Sequence, residues 1–365
     1  MRQPQASAPE RVTTAKLITE NCEPMAAADF GLKTIDKPQR QRGGRNTAVE
    51  LLKSFLDHRG QNYRHAMSSP LSALTDCSRL SAHIAFGTLS LREVVQAVRS
   101  RQATFRTMPK GEAPPGFLAS LKSFEGRLHW HFMQRLESAP EIEFQNLHRG
   151  FDGLRENDFD PTKFNAWSRG ETGYPMVDAC MRMLAETGWL NFRMRAMIVS
   201  FASYHLWLHW REPALFLARE FLDYEPGIHY SQIQMQSDVT GINAVRIYNP
   251  VKQGRDQDPA GIFGRKWIPA LADVPDDAIF EPWKMSKAVQ LHANCVIGRD
   301  YPAPIVKHEG AARIAKTRMW QVKNQSDVRS ESTRVYQKHG SRKRSGRSAV
   351  TDSTLKSTTQ LQLDL

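Results

Sequence analysis

The stretch "NFRMRAMIVSFASYHLWLHW", residues 191–210, is apolar on nearly every side. A helix on a protein surface keeps a polar face, so one that is apolar all round belongs inside a large domain. The segments around it are helical too. In "NTAVELLKSFLDHR" the residues Val49, Leu52, Phe55 and Leu56 share one face after an Asn46 or Thr47 cap. "LSLREVVQAVRS" has Ser90 as N-cap and Glu93 at capping-box spacing. "YPMVDACMRMLAETG" opens with Pro175, turns Val177, Met181 and Leu184 inward, and stops at Gly188. Strand-like alternation is scarce, and no GxGxxG is present. The expectation is an all-α fold, one helical domain over residues 43–324.

The two ends read differently. Residues 1–42 are rich in Pro, Gln, Ala and Thr without sustained periodicity, which predicts a mobile arm ending at the turn-like Arg42-Gly43-Gly44-Arg45. Residues 325–365 hold few apolar side chains, which predicts a disordered basic tail. That tail carries eight Lys/Arg against four acids, so of the net +12 a charge of +8 stays with the rest of the chain. A basic body attracts polyanions, which makes DNA a candidate partner, although basic surfaces also serve solubility. No apolar run reaches the roughly 18 residues of a membrane span, and Met1–Ala15 lacks a signal-peptide core. Cys22, Cys77, Cys180 and Cys295 are scattered without a CxxC pair. No cysteine cluster for a metal is expected, and the default is a reducing, cytoplasmic setting.

Three places can carry chemistry. In "TDCSRLSAHIAFGTLS", Ser78, Arg79 and Ser81 lead into an apolar helix. Hydroxyls and free amides at a helix start suit a phosphate, and they equally suit ordinary capping. Arg195 lies in the apolar run, where an unpaired guanidinium is costly, and Asp223 follows 28 residues on. A buried ion pair adds little stability over apolar packing, so a polar ligand is one motive for keeping it; exposure of either residue is the other reading. Asp223 is the first acid in "LDYEPGIHYSQIQMQS", which also holds Glu225 and His229 among apolar residues. Trp207 and Trp210, three apart, are placed on one helical face and can relay an electron beside a redox cofactor.

These pieces stand in a telling order. "AWSRGETGYPMVDACMRMLAETGWLNFRMR", "HWREPALFLAREFLDYE", "VRIYNPVKQGRDQDPAGIFGRKWIPAL" and "EPWK" resemble the helical FAD-binding domain of the photolyase/cryptochrome family. "CSRLSAHIAFGTLS" is similar to its phosphate-binding element and "YPAPIVKHEGAARIAKTR" to its closing helix. The resemblance runs from about Gly43 to Arg318. It implies a non-covalent, U-shaped FAD inside a helical bundle. Tyr63, Ser78, Leu80 and Ser81 would line the phosphates and ribitol, and Arg195 and Asp223 would pair against the flavin ring. Glu225 stands where the family has an Asp at the ring edge. Trp130 matches a substrate-cavity tryptophan, and Trp210 the middle relay tryptophan.

The departures matter as much. His229 occupies the place of the Asn nearest flavin N5, Ile233 that of the proximal relay tryptophan, and a polar residue near Asn157 that of the distal one. Met235 replaces a further cavity tryptophan, and Phe192 an Asn beside the flavin. The family's ExxWR becomes "RLHWH", with Arg127 and His131 around Trp130. No α/β antenna domain is expected upstream of Gly43, which leaves a separate antenna or signalling protein as a partner. The resemblance implies blue-light flavin electron transfer, cryptochrome-like or divergent rather than efficient cyclobutane-dimer repair. The alternatives are a DNA photolyase and a light-independent FAD protein. In the first of these, base flipping is the family's way of reaching its target. Trp130, His229 and Trp210 are the candidate catalytic residues, with His229 as proton donor to the flavin.

Overall fold

The computed structural model describes residues 27–31, 37–137, 142, 144–241 and 245–339. Among these there is no strand, only an isolated bridge between Ile297 and Tyr301. The longer helices that position the site are α1 (Arg45–Asp57), α2 (Leu91–Thr107), α3 (Phe117–Glu137) and α4 (Pro175–Thr187). They continue with α5 (Phe192–Ser200), α6 (Arg211–Glu220), α7 (Pro226–Gln236), α8 (Pro250–Gln257), α9 (His308–Lys323) and α10 (Ser326–His339).

The apolar side chains condense into two clusters. The smaller joins α1, α2 and α3 through Leu52, Phe55, Val94, Val98, Leu121 and Phe124. The larger is built around α4, α5 and α6, with Val177, Leu184, Met197, Ile198, Trp210 and Leu217 wholly or almost wholly enclosed. In so dense an interior, cutting one such side chain back to Ala costs about 2–5 kcal/mol. Asn191 stitches the clusters together: its Nδ2 donates to the carbonyls of Met67 (3.0 Å) and Ser68 (2.8 Å). The candidate site lies along this seam.

Local chemistry sets the helix ends. Pro175 occupies the first turn of α4, and Gly188 ends it in the left-handed region at φ 67°. Ser90 caps α2 by accepting from the Glu93 amide at 3.1 Å. The Glu93 carboxylate accepts in return from the Ser90 backbone, closing the capping box, and it also holds Arg45. At α1 the cap is Gly44, at φ 99°, and neither Asn46 nor Thr47, both of which lie within the helix.

Three expectations change. The run 191–210 is buried or half-buried throughout, but it is not one helix: after Ser200 a π turn (Phe201–His205) intervenes and Trp207 sits at φ 57°. Trp207 and Trp210 therefore do not share a helical face. Second, the predicted arm is anchored at its end. Lys37 is buried, donates to the Ala185 carbonyl at 3.1 Å, and pairs with Glu220 at 2.5 Å. It thereby satisfies a carbonyl at the end of α4 that has no partner within the helix. Third, Ser326–His339, expected in the tail, forms α10. Val328 and Val335, seven residues apart, are both buried, and His148 Nε2 meets the Val328 carbonyl at 3.1 Å. Residues 1–26, 32–36 and 340–365 of the predicted arm and tail lie outside the described residues.

Candidate cofactor site

A deep cavity runs along the seam between the two clusters. Tyr63, Ser78, Leu80 and Ser81 line one part, Trp130 and Phe192 another, and Arg195, Asp223, His229 and Ile233 a third. The structure thus brings eight of the nine sequence-predicted wall residues other than Trp210 to one cavity, Glu225 being the exception.

Arg195 Nη2 meets Asp223 Oδ2 at 2.8 Å. The guanidinium lies on the face of Phe221, 4.0 Å from the ring centre, and its Nε donates to the Leu190 carbonyl at 2.8 Å. Burial opposes ionisation of Asp223, but the charge and hydrogen bond of Arg195, helped by Ser81, outweigh it and hold the carboxyl below its ordinary range. Asp223 Oδ1 stays buried without a partner.

Arg79 is a wall residue for which the sequence supplied only a charge. It adopts φ 61°, a strained backbone for a residue with a side chain, of the kind found at ligand clamps. Its guanidinium stacks 3.7 Å over Trp189. Burial lowers its pKa to about 10, against the favourable charge of Asp223. Gln41 Nε2 grips the Arg79 carbonyl at 2.9 Å.

The wall also carries unsatisfied groups. Arg79 Nη1, Asn191 Oδ1, Arg193 Nε, Asp223 Oδ1 and Gln232 Oε1 are buried and have no hydrogen-bond partner. Buried polar groups are normally paired, and each one left over costs about 1–3 kcal/mol. Arg79, Arg127, Arg193 and Arg195 face a single wall carboxylate, Asp223, which is an excess of positive charge. A large polar ligand bearing phosphates fits this donor set, and FAD meets it with a diphosphate, a ribitol chain and two heteroaromatic rings.

His229 lies at the wall with Nε2 2.8 Å from the Ala214 carbonyl. A carbonyl only accepts, so Nε2 carries the proton and Nδ1 is left bare in the neutral ring. Burial pushes its pKa down to about 4, with the Ala214 bond a smaller opposing influence. In this arrangement the Nε2 proton is engaged by the Ala214 carbonyl, and Nδ1 is the ring's other nitrogen.

Glu225 does not line the cavity. It caps α7 from behind the wall, and its Oε2 lies 3.2 Å from Nδ1 of His131, which does line it. Met235 is not a wall residue either. Trp130 meets Phe192 edge to face at 5.8 Å. Trp210 lies outside the wall, fully buried, with Nε1 donating to Asn146 at 2.6 Å and its ring 6.3 Å from that of Tyr230. Tyr230 in turn lies 5.0 Å from His229. Trp207 stands apart, between the guanidiniums of Arg155 (4.5 Å) and Arg318 (4.9 Å).

This helical cavity has counterparts among known proteins. Residues 124–321 match the family model described as the FAD-binding domain of DNA photolyase. The chain is 33% identical over 270 residues to a deoxyribodipyrimidine photo-lyase of Alkalihalophilus pseudofirmus, covering 73% of this chain and 53% of that protein. It is 29% identical to a cryptochrome DASH of Gloeobacter violaceus, over 76% of this chain and 55% of that one. Among solved structures, a class III photolyase from Agrobacterium tumefaciens superposes with a TM-score of 0.67 at 28% identity, covering 77% of this chain and 56% of that chain. The chain belongs to the photolyase/cryptochrome family and carries its helical FAD-binding domain. It spans about half the length of these curated relatives.

Proposed function

We propose that this chain is a blue-light flavoprotein that moves single electrons through bound FAD, cryptochrome-like or divergent in its output. The observation that carries the reading is the seam cavity, where the hydroxyls of Ser78 and Ser81 and the Arg195–Asp223 pair line one space edged by unsatisfied donors and acceptors. FAD, when bound, supplies light absorption and one-electron chemistry. The chain's own residues do the rest. Ser78, Ser81 and Tyr63 would hold the phosphate and ribitol portion, with Arg79 and its neighbouring cations offsetting the negative charge. Arg195 and Asp223 would orient the ring, the guanidinium fixed between Phe221 and the carboxylate. Trp210 would reach the cavity through Tyr230 rather than through position 233, where an isoleucine cannot be oxidised.

DNA is the proposed partner, on the strength of the net charge of +12 and the cationic wall. Trp130 and Phe192 would give an extruded base an aromatic face. Efficient cyclobutane-dimer repair is the less favoured output, because Arg127 stands at this wall where an acid would accept hydrogen bonds from the bases. The test is an absorption spectrum before and after blue light, with and without dimer-containing DNA. Light-driven change of the flavin bands without dimer loss supports the reading; dimer loss at many turnovers per chain moves the protein to the photolyases proper.

A further inference from the structure

Two residues that look unrelated in the sequence, 94 positions apart, meet behind the cavity wall. His131 projects from α3 into the cavity, and Glu225 is the N-cap residue of α7, a helix that packs closely along α3. Their Nδ1···Oε2 distance is 3.2 Å. Glu225 is 7% exposed and His131 20%, so the carboxylate is enclosed while the imidazole keeps some access to water. An ionised carboxylate only accepts, which makes Nδ1–H the donor and leaves Nε2 as the ring nitrogen with which His131 can meet a ligand. A carboxylate behind an imidazole fixes its tautomer and orientation and stabilises the imidazolium, as in carboxylate–histidine pairs that handle protons.

The other wall histidine is built the opposite way. His229 is tied through Nε2–H to a neutral carbonyl and stays uncharged. The charged groups around the His131 wall are Arg127 on its own helix, Arg193 and Arg195 on α5, Arg79, and the acids Asp223 and Glu225 on the approach to α7. Glu225 is the acid in direct contact with the ring.

The geometry points to His131, held by Glu225, as the proton donor of this cavity, acting on a heteroaromatic ring that has gained an electron. The inference rests on the cavity being the flavin site. In the simplest case external ferrocyanide supplies one electron under light, becoming ferricyanide, and the flavin ring receives it. The Nε2 proton of the His131 imidazolium moves to the ring atom where the charge collects. Nδ1–H stays on Glu225, and the neutral imidazole takes a proton from water. One electron leaves ferrocyanide and one proton leaves the solvent, so charge and atoms balance.

The test uses the full FAD-loaded chain with ferrocyanide as donor, which releases no proton when oxidised. Proton uptake after a blue flash is followed with a pH-indicator dye, in H2O and in D2O, at matched FAD content. Wild type is expected to slow two- to fourfold in D2O. H131N should slow proton uptake by at least tenfold and lose that isotope effect, and added imidazole should restore part of the rate to His131→Ala. Glu225→Gln preserves side-chain size and guards against a misfolded H131N; it should slow uptake three- to tenfold. Wild-type rates and isotope effects in both H131N and Glu225→Gln would overturn the proposal, as would a loss confined to His229→Asn. A folded wild-type chain that takes up no FAD fails earlier, and overturns the flavin reading itself.

Discussion

His229 Nε2 donates to the Ala214 carbonyl at 2.8 Å, and this one bond decides what the histidine can do. The ring is kept neutral in the folded protein, with a pKa near 4, because burial penalises the imidazolium. In the unfolded chain a histidine takes its proton near pH 6.5. The folded state is therefore at full strength above about pH 6.5 and loses stability as pH falls toward 4, by about 3 kcal/mol for this group. Urea midpoints of wild type and His229→Asn between pH 4 and 7.5 check this. The difference between the two should shrink at low pH, and parallel profiles would refute it.

Asp238 has the opposite sign. Burial raises its pKa to about 6, with Lys323 at 2.6 Å opposing the rise. An unfolded Asp binds its proton near pH 3.9, so between about 6 and 4 the folded state binds more protons and gains stability as pH falls. Asp238→Asn should remove that gain. The readout is the pH dependence of its thermal midpoint, where the mutant is expected to be flatter than wild type over this interval.

Removing Arg195 leaves Asp223 buried without its cation, and removing Asp223 leaves the half-buried Arg195 without its counter-ion. Arg195→Met or Asp223→Asn is expected to cost about 3–5 kcal/mol in the absence of cofactor. Either change should also lower the FAD retained through gel filtration by tenfold or more. Arg195→Met combined with Asp223→Asn should regain stability but not flavin. Flavin content and urea midpoints, measured on the same samples, separate the two effects.

Much of this was legible beforehand, and the reasons differ by residue. Pro175 and Gly188 bound α4 because each has a backbone preference that few neighbours can override. Arg195 and Asp223 were legible because a guanidinium in an apolar run needs a partner. Helix α10 escaped notice because two buried valines seven apart make a thin stripe in a polar segment. The π turn and the left-handed Trp207 break a run whose composition favours one helix throughout. The likeness that sets Glu225 at the flavin edge says nothing of its contact with His131, which the fold supplies. No local pattern connects residues 94 positions apart.

Lys37 tests the anchoring of the N-terminal segment. Lys37→Ala leaves the Glu220 carboxylate and the Ala185 carbonyl without this donor, while the Leu184 carbonyl keeps the Gly188 amide. About 1–3 kcal/mol of stability should be lost. Protease cleavage after Arg40 or Arg42 should also quicken in the mutant. Equal cleavage rates in both proteins would show that the segment is not held by this contact.

The central claim is that this chain by itself holds FAD in the seam between its two helical clusters. The most direct measurement is the flavin released by heat from the purified chain after saturation with FAD and removal of excess, read from its absorbance. The account predicts close to one FAD per chain, falling at least tenfold in Asp223→Asn while the helical signal is retained. A folded wild-type chain with no bound flavin, or an Asp223→Asn chain with a full complement, would contradict it.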